Sequence, residues 1–286
     1  MATLKVIRKR ISSVRNTQQI TKAMKMVSAA KLRRAQEAAE RARPYAEKMV
    51  ALLKNLSSRT PDETHPLLMD REENRIELIL LTSDRGLCGG YNANLIRTAE
   101  GFLRTHTPQG QVTLTVVGRK GADYCRRRNV EIGDRYVNIG NRPLESLAGE
   151  IAEKTIGRFL REESDGSYIL YSRFQSALSQ VPTVQKLIPV AKGDEPEQEQ
   201  AIEYLFEPSD QAVLSSLLPK VVEVTIYRAL LEAVASEHGA RMTAMESATT
   251  NAGDMISSLT LQMNRARQAS ITRELLEVVS TAEALK

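Results

Sequence analysis

Apolar side chains at the start of the chain fall at Leu4, Ile7, Ile11 and Val14. After a polar interruption they resume at Met24, Val27, Leu32, Ala35, Ala39, Ala42, Ala46, Met49, Leu53 and Leu56. Steps of three and four are a heptad seam, and they predict one long helix over 4–56 that lays this stripe on a partner. No glycine interrupts it, and Pro44 is its only proline, a point where a kink is expected. The alanines along the seam allow a partner helix to come close.

The other end of the chain has the same texture. Pro208-Ser209-Asp210 reads as a helix start. Leu214, Leu217, Val221, Val224, Leu231, Val234, His238, Met242, Met245, Ala252, Met255, Leu259, Met263, Leu275, Val278 and Ala282 then recur near helical spacing, with Pro219 marking a bend or break. A helix of about 75 residues would measure about 110 Å at 1.5 Å per residue, so it must leave any globular domain. Two such helices bury their stripes only side by side, and a domain joining their inner ends makes the pair antiparallel. The N-terminal helix is the shorter by about 20 residues, so one end of its partner is left for another protein to cover.

Between the helices the pattern changes to short β-rich runs at 76–82, 112–117 and 168–172, separated by candidate helices at 94–105, 119–128 and 146–163. Strands alternating with helices predict a mostly parallel, doubly wound sheet. A β-hairpin extension is expected from 184–190 and 202–206, joined by an acidic loop at 193–200. The fold class is therefore α/β: a long antiparallel coiled coil of the N- and C-terminal helices plus a central Rossmann-like doubly wound domain. The expected divisions are shaft helices at 1–58 and 209–286 and a central domain at 75–207.

Composition sharpens this picture. The chain has no Trp and only 4% aromatic residues, little for packing one large core in 286 residues. Its net charge of +5 conceals an asymmetry: residues 1–36 hold ten basic side chains and no acidic one. Such a concentrated cation asks for an anionic partner. No aromatic precedes Tyr45, against the habit of nucleic-acid readers, and the stripe runs to Ala and Met rather than to the large apolar residues of membrane-surface helices. An acidic protein surface fits best. A basic helical-hairpin scaffold that binds nucleic acid is the competing reading. Cys88 and Cys125 are far apart, which predicts neither a disulfide framework nor a metal site and fits a reducing compartment. No apolar signal region opens the chain and no stretch is long enough to span a membrane.

One local motif stands out, Ser83-Asp84-Arg85-Gly86-Leu87-Cys88-Gly89-Gly90-Tyr91-Asn92, directly after the first predicted strand. A glycine-rich turn between strand and helix can cradle a phosphate on its N–H groups. This one matches neither G-x-G-x-x-G nor G-x-x-x-x-G-K-[ST], so a tight turn with a structural or partner-contact role is favoured. Cys88 has no His near it in sequence, and His65, His106 and His238 do not cluster, so a Cys–His pair is unsupported. No catalytic, cofactor or metal residue is expected. Near the C terminus, Arg267 and Gln268 are adjacent on the helix, solvated surface residues in one reading and fork-shaped donors to a surrounding protein in the other.

Four stretches together resemble the gamma subunit of the F-type ATP synthase: 20–33 (ITKAMKMVSAAKLR), the SDRGLCGGYN turn, 179–183 (SQVPT) and 266–275 (ARQASITREL). The resemblance implies a non-catalytic rotor shaft inside a ring of alternating alpha and beta subunits, with the α/β domain at the foot beside the epsilon subunit on the membrane c-subunit ring. It implies that Lys22, Met24 and Lys25 lie near an acidic segment of a beta subunit, with Cys88 close to the same region. Arg267 and Gln268 would meet a beta loop, and Tyr204 would lie toward the c ring. It implies no cofactor, no nucleic acid and, with neither transit peptide nor closely spaced cysteine pair, a bacterial peripheral protein at the cytoplasmic face of the inner (plasma) membrane without thiol control.

Overall fold

The computed structural model describes residues 4–59, 65–108, 110–191 and 209–284. Among these residues the α-helices and β-strands follow in order: α1 (Leu4–Arg59), β1 (Arg75–Leu81), α2 (Tyr91–His106), β2 (Gln111–Val117), α3 (Arg119–Arg128), β3 (Ile132–Tyr136), α4 (Leu144–Leu160), β4 (Gly166–Phe174), β5 (Gln180–Ile188) and α5 (Asp210–Ala284). Both long helices run through their prolines, Pro44 and Pro219. By packing, the chain divides into two compact units, residues 1–28 with 242–286, and residues 29–241.

The first unit is a helical pair. Ile7 and Ile11 of α1 pack with Leu259 of α5, supported by Val14, Ile256, Met263 and Ala266. Lys25 pairs with Glu246 at 2.6 Å and the Thr21 and Thr249 hydroxyls meet at 2.8 Å. Partners climb α5 as they descend α1, so the helices are antiparallel. The seam on α1 is an unbroken heptad through Ile7, Ile11, Val14, Gln18, Thr21, Lys25 and Ser28. The expected interruption is thus a polar part of the seam. Thr21 and Ser28 fit there because their hydroxyls satisfy themselves on carbonyls of their own helix, at Gln18 (3.0 Å) and Met24 (2.8 Å). Val27 and Met255, expected on the seam, are instead 58% and 51% exposed. Polar Ser28 and apolar Ile256 hold the 3.5-residue phase in their place.

In the second unit a five-stranded sheet has the order β3-β2-β1-β4-β5. β1 pairs in parallel with β2 and with β4, and β2 with β3, while β5 closes the edge antiparallel to β4. Strand β1 is buried along six of its seven residues, which is why it reads as a continuous apolar run. Alternate side chains divide between two layers. Leu78, Leu80, Leu114 and Val116 pack on Tyr91, Leu95 and Ala99 of α2 and on Ala122 and Cys125 of α3. Ile79, Leu81 and Ile169 pack on Leu147, Ile151 and Phe159 of α4, together with Met49, Leu53 and Leu56 of α1 and Leu214, Leu218, Ile226 and Leu230 of α5. Each fully buried Leu or Ile contributes about 1.5–3 kcal/mol, so the bases of both long helices are fixed on the sheet by this cluster.

Strand β3, Ile-Gly-Asp-Arg-Tyr, lies outside the predicted β-rich runs: Asp134 is held by Lys154 (2.9 Å) and by Arg158 of α4, and Tyr136 is buried. Residues 184–188 fall in β5, whose partner among the described residues is β4 across a five-residue turn at 175–179. Residues 193–206, with the expected acidic loop, the second hairpin strand and Tyr204, lie outside the described residues.

Candidate partner-contact sites

The glycine-rich turn leaves the C-terminal end of β1, where the strand order reverses between β2 and β4, the place where open α/β sheets form their crevice. The turn is held by its own polar side chains. Asp84 accepts from the backbone N–H groups of Arg119 (3.1 Å), Asn138 (3.0 Å) and Ile139 (2.7 Å), which ties the turn to the two neighbouring loops. The Ser83 hydroxyl donates to the Arg85 carbonyl at 2.6 Å, and the Ser83 N–H donates to Asn92 Oδ1 at 3.0 Å. Gly118, opening α3 at φ 100°, is needed beside it, since a Cβ there would sit 2.2 Å from the Thr82 carbonyl oxygen.

Helix α5 clamps the turn from outside the sheet. Arg241, 7% exposed, donates through Nε to the Gly86 carbonyl (3.3 Å) and through Nη2 to the Arg85 carbonyl (3.2 Å) and to Glu237 (2.7 Å). Its Nη1 lies 3.2 Å from His238 Nδ1. Tyr91 and Ser236 fix the same stretch of α5, donating to the Ala233 and Ser172 carbonyls.

Cys88, expected as a contact residue, is buried at 2% exposure, with Asn92 Nδ2 donating to its sulfur at 3.2 Å. Its side chain is therefore turned into the domain, while its neighbours Arg85 and Leu87 are exposed. Burial pushes the Cys88 thiol up, and burial beside Arg241 holds the His238 imidazole down at about 4. A thiol kept protonated and an imidazole kept neutral are the reverse of a thiolate–imidazolium pair. Leu87 is the residue that the sequence did not single out. It takes φ 63° and is 62% exposed. A bulky side chain held in the left-handed region costs about 1–3 kcal/mol.

In the helical pair, Lys22 is exposed, Met24 is half-buried against the seam, and Lys25 reaches across to Glu246. Arg267 and Gln268 are both exposed on α5 beyond the last packed seam residues. Residues 271–281 that follow are all exposed, with Ile271, Leu275, Leu276, Val278 and Val279 between 48% and 65%. An apolar helix end in water calls for a protein cover. Among the described residues no cluster of His, Cys, Asp or Glu could hold a metal ion, and no helix is long and apolar enough to cross a membrane.

An open α/β domain whose two clamping helices also form a coiled pair, with its distinctive residues turned outward, is a subunit built to contact other proteins. Comparison with known proteins gives the family: a model described as ATP synthase matches residues 3–285, and the chain belongs to that family. It is 51% identical to the ATP synthase gamma chain of Desulfitobacterium hafniense over 286 residues, covering 100% of each chain. It is 49% identical to that of Geobacter metallireducens over 287 residues, again covering 100% of each. Among solved structures it resembles a chain of the Tetrahymena thermophila mitochondrial ATP synthase central stalk and c-ring, at 25% identity and TM-score 0.61, covering 80% of this chain and 99% of that one. A chain of the Euglena gracilis mitochondrial enzyme shares the fold at TM-score 0.71 and 21% identity, covering 99% and 94%. Full-length relatives of this kind disfavour the reading as a nucleic-acid scaffold.

Proposed function

We propose that the chain is the central rotor shaft of an F-type ATP synthase, carrying rotation between a membrane c-subunit ring and a catalytic ring of alpha and beta subunits. The observation that carries this reading is the apolar helix end at 271–281, exposed in a chain whose relatives over its full length are ATP synthase gamma chains. Segments 1–58 and 209–286 serve as the shaft, and 75–207 as a foot that also meets an epsilon subunit. Lys22, Met24 and Lys25, with the turn that contains Cys88, face an acidic segment of a beta subunit; Arg267 and Gln268 meet a beta loop; Tyr204 lies toward the c ring. The protein itself is non-catalytic and peripheral, at the cytoplasmic face of a bacterial membrane.

The mechanics follow from energies. One elementary charge crossing 100 mV yields about 2.3 kcal/mol, so several transfers must be accumulated in an element that resists twisting. A heptad pair whose seam is filled by Ile, Leu, Thr and Ser is such an element. It drives each beta subunit only by contacting that subunit's alternative states unequally.

Co-expression with alpha and beta subunits followed by gel filtration tests the reading. Co-elution with ATPase activity is expected. A chain that elutes alone and binds DNA with steep salt dependence would refute it.

A further inference from the structure

We infer that Leu87 is the side chain through which the turn after β1 grips its partner, a protein surface with an apolar socket bordered by carboxylates. Among the described residues, four other than glycine have positive φ: Leu87, Asn129, Asn138 and Glu162. Asn tolerates this region because its short polar side chain bonds locally. Leu87 alone is large and apolar, and it is 62% exposed, so packing among the described residues does little to offset its conformation. Glycine would take the same backbone without strain. Strain of this kind persists where surrounding structure over-determines it and where function uses it.

The over-determination is visible on both sides. Before Leu87, Asp84 is fixed by three backbone N–H groups, and the carbonyls of Arg85 and Gly86 are held by the buried guanidinium of Arg241. After it, Cys88 is buried under Asn92. The turn is therefore a rigid mount that points one leucine outward, and Arg241, which touches no partner through these bonds, is its positioning residue. The charges around the mount define the socket. The Asp84 carboxylate is fully engaged, while exposed Arg85 and half-exposed Lys120 pair with no acidic side chain among the described residues. Unpaired cations beside a projecting leucine fit an apolar surface edged with Asp or Glu.

The inference rests on the rotor reading, which places the beta subunit opposite this turn. The test uses the assembled complex in inverted membrane vesicles, with Leu87→Gly, Leu87→Ala and Leu87→Met, and reads proton-driven ATP synthesis per assembled complex. Hydrogen exchange of amides 83–92 is followed in the full-length chain. Gly and Ala variants are expected to lose about tenfold in coupled synthesis, the order expected of a truncated interface anchor, while Met retains most of it. Exchange in the turn should be unchanged or slower for Leu87→Gly, since its strain is relieved. Loss of assembly by the Gly variant with its turn still protected supports the inference equally. Unaltered synthesis in Leu87→Ala, or faster exchange in the turn of Leu87→Gly, overturns it. Failure of the wild-type chain to join the catalytic ring would refute the rotor reading instead.

Discussion

Glu77 is a carboxylate with no exposure at all, in the middle of the central strand. It survives there because Arg158 of α4 reaches it while also bonding Asp134, and because the Thr115 hydroxyl donates to it at 2.6 Å. Removing one partner of such a pair strands a buried charge. Arg158→Met should therefore lower stability by about 3–5 kcal/mol, and the double variant Glu77→Met/Arg158→Met should recover a large part of it, as measured by denaturant unfolding. His238 offers a different test. Its imidazole titrates near 6.5 when unfolded but at about 4 in the fold, so above pH 6.5 it is neutral in both states. As pH falls from 6.5 toward 4, the unfolded chain takes up a proton that the fold refuses, and stability drops. Burial raises the adjacent Glu237, which works the other way above pH 4.5, so the comparison must be with a variant: His238→Gln should show a shallower loss between pH 6.5 and 4 in thermal melts. Nothing in the residue pattern announced either site. A lone Glu in an apolar run and a His on a helix stripe acquire meaning only from what packs against them.

At the level of elements, the heptads of α1 and α5 were largely legible because a 3.5-residue period needs only the identity of every third or fourth residue. The reading slipped where polarity was taken as a guide to position. Gln18 and Thr21 sit in the seam, with Gln18 Nε2 donating to the Thr249 carbonyl at 3.4 Å, and Gly253 faces that amide, where a Cβ would come within 3.2 Å. The apolar layers on either side of this polar segment hold the pair. Ile11→Ala should lower the local opening free energy of the helical pair by about 2 kcal/mol or more, seen as faster amide exchange over 4–18 and 252–263, while the sheet remains protected. Strand β3 escaped the sequence reading for a related reason. An edge strand carrying Gly133, Asp134 and Arg135 has no apolar signature, and its pairing depends on Arg158 and Lys154, which arrive from α4.

For the whole molecule the sharpest expectation concerns Arg267. It is exposed, makes no side-chain hydrogen bond or ion pair among the described residues, and lies just before the exposed end of α5. Arg267→Leu should reduce coupled ATP synthesis in membrane vesicles, or assembly of the complex, while leaving the central domain folded by circular dichroism; an unaltered complex would remove that assignment. The sequence by itself determined the two long helices, the alternation of strands and helices between them, and, through its four motifs, the family to which the chain belongs. Those properties are periodic or local, so they are written in the order of the residues. The tertiary structure alone decided which strands pair, that β5 folds back on β4, that Cys88 is hidden while Leu87 projects, and that Arg241 fastens a turn 155 positions earlier in the chain. Each of these depends on groups distant in sequence meeting at hydrogen-bonding or packing range. Burial, strain and the protonation of a buried group are properties of that meeting and belong to no residue alone.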